Sequence, residues 1–108
     1  MKKITLTCAH AIVKYLISQK ILINGKKEPL FPGVFGIFGH GNVACLGQAL
    51  EENQKDLPTF RGHHEQNMAL TGIAYARAKR RQQIFVATSS VGPGATNMVT
   101  AAAVAMSN

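Results

Sequence analysis

Residues 34–52 have the sequence VFGIFGHGNVACLGQALEE, and this stretch decides the fold. It opens with a short apolar run at 34–38, bounded by glycines, which is typical of a strand buried on both faces of a parallel sheet. Residues 39–42 are expected to form a loop, and residues 43–52 a helix whose apolar side chains face inward. A buried strand that leads through a loop into a helix is the repeating unit of an α/β fold.

The same alternation of helices and strands continues on both sides of this stretch. Thr7 is expected to cap a helix that ends near Lys20, and Asn24-Gly25 to form a turn that suits a hairpin tip. The other expected segments are an irregular one at 26–32, strands at 58–60 and 84–88, and helices at 64–79 and 96–106. The alternation predicts an α/β fold with a parallel sheet, helices on both faces and right-handed crossovers.

The length and charge of the chain limit the classes of protein to which it can belong. At 108 residues and 46% hydrophobic content, it can bury the core of one small domain. The formal net charge of +7 makes a basic nucleic-acid-binding module an alternative. However, the basic residues are dispersed, and the densest group, at 77–81, falls where a helix should end and where cations are favoured. We therefore expect no nucleic-acid partner, and no apolar run is long enough to predict a membrane span.

The cysteines and histidines give no pattern of a disulfide scaffold or a metal site. Cys8 and Cys45 fall inside expected helices and are predicted to be buried as small hydrophobic residues, which suits the reducing cytoplasm. The chain has four histidines, but their spacing matches no zinc motif. We expect a cytoplasmic protein with no metal ligands in this chain.

The best candidate for a site is the crevice beyond the carboxyl ends of the strands, where ligands bind in open α/β sheets. The loops at 39–42, 61–65 and 89–94 all follow expected strands and should line this crevice. Glu65 lies in the first turn of a helix with a face of small residues, so we expect it to be partly buried. Desolvation favours the protonated form of a carboxyl group, which suits proton transfer. The plain alternative is an acid that only stabilises the start of its helix.

A glycine- and proline-rich turn follows the last expected strand. Its sequence is Gly92-Pro93-Gly94-Ala95-Thr96-Asn97. Both glycines can adopt backbone angles that other residues avoid, and proline makes the turn rigid. Taken alone, this turn is more typical of an ordinary connection between a strand and a helix than of a binding site.

Two segments together, Gly62-His63-His64-Glu65-Gln66 and residues 90–97, resemble the pyrimidine-binding domain of thiamine diphosphate enzymes of the acetolactate synthase type. The resemblance implies an incomplete Rossmann-like domain, in which residues 1–108 are the N-terminal part and later domains are absent. It implies thiamine diphosphate as the cofactor. It also implies that Glu65 is catalytic and activates the cofactor by sharing a proton with the ring nitrogen N1′ of its aminopyrimidine.

The resemblance also assigns expected roles to other residues of the crevice. Pro93 and Asn97 would lie beside the aminopyrimidine, and His40 would be a catalytic proton donor. The residues expected to face the thiazolium and the substrate are Gly39, Gly41 and Asn42. Acetolactate synthases tend to carry Tyr-Pro-Gly-Gly where this chain has Gly-His-Gly-Asn. That loop is similar to family members that hydrolyse a carbon–carbon bond of a cyclic 1,2-diketone in inositol catabolism, and an acetolactate synthase-like enzyme is the alternative.

The family resemblance implies that this chain holds only part of a composite site. In the family, a later domain binds the diphosphate and Mg²⁺ through a Gly-Asp-Gly segment, which this chain lacks. We therefore expect a second subunit or a later domain to complete the site in a homo-oligomer. The chain alone is expected to be inactive.

A nicotinamide-binding Rossmann domain is a second alternative. Residues 39–44 fit the G-x-G-x-x-G/A pattern, with Ala44 in the last place, and Glu65 follows as a candidate for the ribose-binding acid. That acid should end the second strand, however, and Arg61 is nearer to this point than Glu65.

Overall fold

The computed structural model describes residues 3–107 and has two β-sheets. The strands are β1 (Lys20–Ile23), β2 (Lys26–Pro29), β3 (Val34–Gly36), β4 (Thr59–Arg61) and β5 (Val86–Thr88). The larger sheet is parallel with the order β4-β3-β5, so that Val34 on the central strand is paired with Thr59 on one side and Val86 on the other. The smaller sheet is the antiparallel hairpin β1-β2. The prediction of an α/β fold with a three-stranded parallel sheet is confirmed.

The helices flank both faces of the parallel sheet. They are α1 (Cys8–Ser18), α2 (Gly39–Asn42), α3 (Gln48–Glu52), α4 (Glu65–Ala78), α5 (Pro93–Thr96) and α6 (Val99–Ser107), with a π-helical turn at Val43–Gly47 between α2 and α3. Successive side chains of a strand point to opposite faces. Val34 packs in the core with Val13 of α1 and Leu50 of α3. Phe35, on the other face, stacks on Phe85, which also contacts Tyr75 of α4.

The central core lies between the sheet and the α1–α3 pair. It consists of Val13, Val34, Ala49, Leu50 and Leu57, each at most 1% exposed. Burial of side chains of this size from several distant segments is the main stabilising contribution to the domain. The same packing fixes β3 at the centre of the sheet, and therefore fixes the position where the chain leaves β3.

Three local expectations were wrong. Residues 26–29 form β2 instead of an irregular segment, because Asn24 (φ 52°) and Gly25 (φ 80°) both adopt the left-handed conformation of a tight hairpin turn. Residues 39–42 form the helical turn α2 instead of a loop, and the helix at 96–106 is divided into α5 and α6.

The prediction that both cysteines are buried was also wrong, since Cys8 and Cys45 are exposed free thiols. Cys8 is the first residue of α1, ahead of the buried Val13. Cys45 lies in the π-helical turn, which contributes no fully buried residue, whereas Ala49 and Leu50 of α3 are buried. The wider turn therefore leaves Cys45 outside the core.

Candidate functional site

The connections that follow the three parallel strands meet at one edge of the sheet. The chain leaves β3 through α2, leaves β4 toward α4, and leaves β5 toward the turn at Gly92. The amide nitrogen Nδ2 of Asn42 donates to the carbonyl oxygen of Ser89 across 3.2 Å, which joins the first and third of these connections. The crevice expected from the sequence is therefore present at the carboxyl ends of the strands.

Glu65 lies at this edge of the sheet, where the connection from β4 enters α4. It is the first residue of α4 and only 9% exposed, and its Oε1 accepts a hydrogen bond from Nδ2 of Asn97 at 3.3 Å. Among residues 3–107, Oε2 has no hydrogen-bond donor. The start of the helix favours a carboxylate at this position. The site thus holds a buried carboxyl group with Oε1 anchored by Asn97 and Oε2 without a hydrogen-bond donor among the described residues.

Gly94 provides the space that this carboxyl group occupies. A Cβ atom at Gly94 would lie 2.9 Å from Oε2 of Glu65 and would collide with Oγ of Ser90. Gly94 does not have a positive φ, so its role is close approach and not unusual backbone geometry. Of the two glycines, Gly92 alone has the left-handed conformation, with φ 67°. We expected both glycines to adopt backbone angles that other residues avoid, and this is correct for Gly92 and wrong for Gly94.

Ser90 is a residue of the site to which the sequence analysis gave no individual role. Its Cβ faces Gly39, where an added Cβ would lie 2.7 Å away, and its Oγ faces Gly94. Ser90 therefore separates α2 from the Gly94 turn. The sequence carries only a weak indication of this role, namely that Ser90 comes between the last strand and the glycine-rich turn.

The α2 turn and Ser90 enclose a cavity of about 280 Å³. It is lined by Phe38, Gly39, Gly41, Asn42, Ser90 and Val91. Gly39 has φ 67°, and a Cβ at Gly41 would meet nothing within 4 Å. The sequence prediction that Gly39, Gly41 and Asn42 lie together at the crevice agrees with this geometry. His40 belongs to α2, but its side chain lies outside the described part of the structure.

Asn97 and Pro93, both expected beside the cofactor, differ in their contact with Glu65. Asn97 contacts Glu65 directly. Pro93 is the first residue of α5 and is exposed, beside the buried Gly94. Pro93 therefore sets the direction of the chain at the turn, whereas Asn97 holds the carboxyl group.

The histidines other than His40 lie away from the carboxyl group of Glu65 or at the surface. His63 and His64 line a separate cavity of about 250 Å³ together with Arg61. His10 lies on α1, where its Nε2 is 2.6 Å from Oε2 of Glu52. That contact holds the pKa of the Glu52 carboxyl below its ordinary value, and a hydrogen bond from Gln48 acts in the same direction. Residues 3–107 contain no group of three His, Cys, Asp or Glu side chains placed to hold a metal ion.

Comparison with known protein families gives a match that covers most of the chain. Residues 30–108 match the family described as thiamine pyrophosphate enzyme, N-terminal TPP binding domain. The chain belongs to this family. Glu65, Asn97 and Gly94 all fall in the matched segment of this thiamine pyrophosphate domain, whereas α1 and the whole β1-β2 hairpin precede it.

Curated relatives extend the similarity to the whole chain. The chain is 54% identical to the 3D-(3,5/4)-trihydroxycyclohexane-1,2-dione hydrolase of Geobacillus thermodenitrificans, and 50% and 48% identical to proteins of the same name from Clostridium tetani and Bacillus thuringiensis. Each comparison covers 100% of this chain and 17% of the relative. The chain thus spans about a sixth of the length of these relatives.

The nicotinamide alternative does not agree with the position of the acid. Glu65 begins α4, whereas β4 ends at Arg61. A ribose-binding acid is expected at the end of the second strand of such a domain.

In the part of the chain that the structure describes, no helix is long and apolar enough to cross a membrane.

Proposed function

We propose that this chain is the pyrimidine-binding part of a thiamine diphosphate-dependent hydrolase that cleaves a carbon–carbon bond of trihydroxycyclohexane-1,2-dione in myo-inositol catabolism. The reaction adds water across the bond between the two carbonyl carbons, so that one becomes a carboxylic acid and the other an aldehyde. Support for the substrate comes from relatives with this name that are 48–54% identical over the whole chain. The subclass of hydrolase is part of the same proposal.

The observation that carries the proposal is the environment of Glu65. Its carboxyl group is buried, is anchored to Asn97 through Oε1, and has Oε2 beside the bare backbone of Gly94. A flat heterocycle with a ring nitrogen needs a carboxyl oxygen without a competing protein donor, and Oε2 has none among residues 3–107. The residues present therefore fit the aminopyrimidine of thiamine diphosphate.

Residues of this chain orient the catalytic carboxyl group and transfer one proton. Thiamine diphosphate, when bound, supplies a carbon nucleophile and accepts the electron pair released when the carbon–carbon bond breaks. Glu65 holds or releases a proton at the aminopyrimidine nitrogen, and Asn97 keeps the carboxyl group in the orientation that this transfer needs. Burial of the carboxyl group excludes water that would compete for the same proton.

The proposed reaction also needs a proton donor for the substrate, a metal ion and a second part of the site. His40 acts as a proton donor to the substrate from its place on α2. Mg²⁺ and the diphosphate bind to a later domain, and a second subunit or that domain closes the site in a homo-oligomer of the cytoplasm. Accordingly, residues 1–108 alone have no hydrolase activity.

The proposal is tested with the full-length protein, thiamine diphosphate and Mg²⁺. We expect trihydroxycyclohexane-1,2-dione to be consumed with release of one acid equivalent per turnover, and we expect no reaction when the cofactor is left out. Pyruvate is assayed in parallel. Condensation of pyruvate without ring opening would replace the proposal with an acetolactate synthase-like activity, and inactivity toward both substrates would refute it.

A further inference from the structure

The cavity beside α2 has the size and chemistry of a site for a small neutral ligand. Its volume of about 280 Å³ is near the lower limit of small-molecule pockets, which suits a single ring and not a dinucleotide. Among the residues whose side chains the structure describes, the six that line this cavity are all uncharged. A phosphate or carboxylate would find no compensating charge among them, whereas a neutral polar molecule needs none.

Ser90 lines this cavity and carries a hydroxyl group that faces Gly94 at its border. Its side chain is partly buried, and no hydrogen bond of its Oγ is found among residues 3–107. The neighbouring Ser89 differs, because its Oγ donates to the Ser90 carbonyl oxygen across 3.0 Å. A partly buried hydroxyl without a protein partner is available to hydrogen-bond a ligand.

Asn42 adds a second polar group in a fixed orientation. One N–H of its Nδ2 donates to the carbonyl oxygen of Ser89, which leaves the second N–H as a donor and Oδ1 as an acceptor. Gly41 contributes no side chain, and the space next to it is open. Ser90 can donate or accept and Asn42 can accept, and this combination is complementary to hydroxyl groups on a ring.

The position of Ser90 connects this cavity to the carboxyl group of Glu65. A Cβ on Gly94 would touch both Oγ of Ser90 and Oε2 of Glu65, so both atoms lie next to one point. A ligand that hydrogen-bonds Ser90 therefore lies beside the proton-transfer group. We propose that Ser90, with Asn42, binds hydroxyl groups of the substrate and makes the enzyme prefer a hydroxylated ring over the same ring without hydroxyls. This inference rests on the proposed function and adds a residue that determines its specificity.

The test compares two substrates in the full-length enzyme. Kinetics are measured with trihydroxycyclohexane-1,2-dione and with cyclohexane-1,2-dione, for wild type, Ser90→Ala and Ser90→Thr. Ser18→Ala, at the exposed end of α1, is the matched control. Ser90→Ala keeps the Cβ that faces Gly39 and removes only the hydroxyl. We expect it to lower the ratio of kcat/KM for the hydroxylated over the plain dione by roughly tenfold, as loss of one hydrogen bond implies. Ser90→Thr should restore most of the ratio.

A second measurement does not depend on activity or on bound cofactor. Ser90→Cys is alkylated with iodoacetamide in cofactor-free full-length protein, and the modified peptides are quantified by mass spectrometry, which separates this site from the exposed Cys8 and Cys45. We expect myo-inositol to slow alkylation at position 90 several-fold and cyclohexanone to have no effect.

The outcomes separate this inference from the proposed function. An unchanged kcat/KM ratio in Ser90→Ala, or equal loss with both diones, overturns the role of Ser90 while the hydrolase activity stands. A wild-type enzyme inactive on the hydroxylated dione overturns the proposed function. Protection of the introduced thiol by myo-inositol would still support a polyol site in that case, and absence of protection would remove it.

Discussion

Asn97 donates a hydrogen bond of 3.3 Å from Nδ2 to Oε1 of Glu65, and so links the start of α4 to the segment between α5 and α6. The orientation of the carboxyl group therefore depends on two elements that are distant in sequence. One oxygen is fixed by this bond, and the other faces Gly94. Under the proposed function, the two oxygens have separate tasks, one structural and one directed at the cofactor.

Replacing Glu65 by glutamine separates these two tasks. The glutamine side chain keeps an Oε1 acceptor for Asn97, so the fold should be retained, but it cannot exchange a proton. We expect Glu65→Gln to lower kcat of the full-length enzyme by about 10²–10⁴-fold, the usual contribution of acid–base catalysis. Steady-state kinetics and circular dichroism are the measurements, with the exposed Glu51→Gln on α3 as the control. Activity within tenfold of wild type would show that Glu65 is not the proton-transfer group.

Alanine substitutions at Gly92 and Gly94 compare two effects, an unfavourable backbone conformation at Gly92 and a steric clash at Gly94. Gly92→Ala forces alanine into a positive-φ conformation (φ 67°, ψ −119°) that side chains rarely adopt, which costs roughly 1–3 kcal/mol of stability, but nothing lies within 4 Å of the new methyl group. Gly94→Ala pushes its methyl group against Glu65 and Ser90. We expect a similar or larger loss of stability, about 1–3 kcal/mol, together with about a 10²-fold loss of turnover from displacement of the carboxyl group.

Urea denaturation and turnover at saturating cofactor distinguish the two variants. The interpretation of Gly94 requires that Gly94→Ala loses far more turnover than Gly92→Ala at comparable stability. Equal turnover in the two variants would mean that the space beside Oε2 is not needed for the reaction.

The sheet and the order of elements could be predicted because buried parallel strands leave a strong pattern, namely short apolar runs bounded by glycine or polar residues. Residues 34–38 and 84–88 show this pattern, and both contain a strand of the sheet. The hairpin strand β2 was missed because Lys26 and Lys27 are exposed and give no buried run. The π-helical turn at Val43–Gly47 was missed because a helical pattern of apolar residues does not distinguish it from an α-helix.

The candidate site could be predicted in part for a similar reason. Glu65 and Asn97 were found through the motifs that contain them, and the structure brings the two together. Ser90 was not found as a site residue, because its position matters only relative to Gly39, which comes from a different strand connection. Contacts between distant segments of this kind follow from the fold and not from local sequence.

Gly39 and Gly41 should respond to alanine in opposite directions. Gly39 has φ 67°, and its added Cβ would lie 2.7 Å from Cβ of Ser90, so Gly39→Ala should lower the free energy of unfolding by at least about 1–2 kcal/mol. Gly41 has helical geometry with open space around it, so Gly41→Ala should raise that free energy by roughly 0.5–1 kcal/mol. Urea denaturation of the two variants side by side measures the contrast. The described geometry of α2 would be wrong if both substitutions had the same sign.

The contact between His10 and Glu52 should make stability sensitive to acid. The pKa of Glu52 in the folded chain is held below the ordinary value of 4.5, chiefly by the hydrogen bond with His10 and then by Gln48. A carboxyl group with a lowered folded pKa stabilises the fold fully above its ordinary pKa, and this contribution is lost as the pH falls through the lowered value. We therefore expect the urea midpoint of wild type to decline below about pH 4.5 more steeply than that of Glu52→Gln, which lacks the titrating group. Glu51→Gln, which keeps the contact, should decline like wild type, and an identical acid decline in Glu52→Gln would rule out this contact as the source.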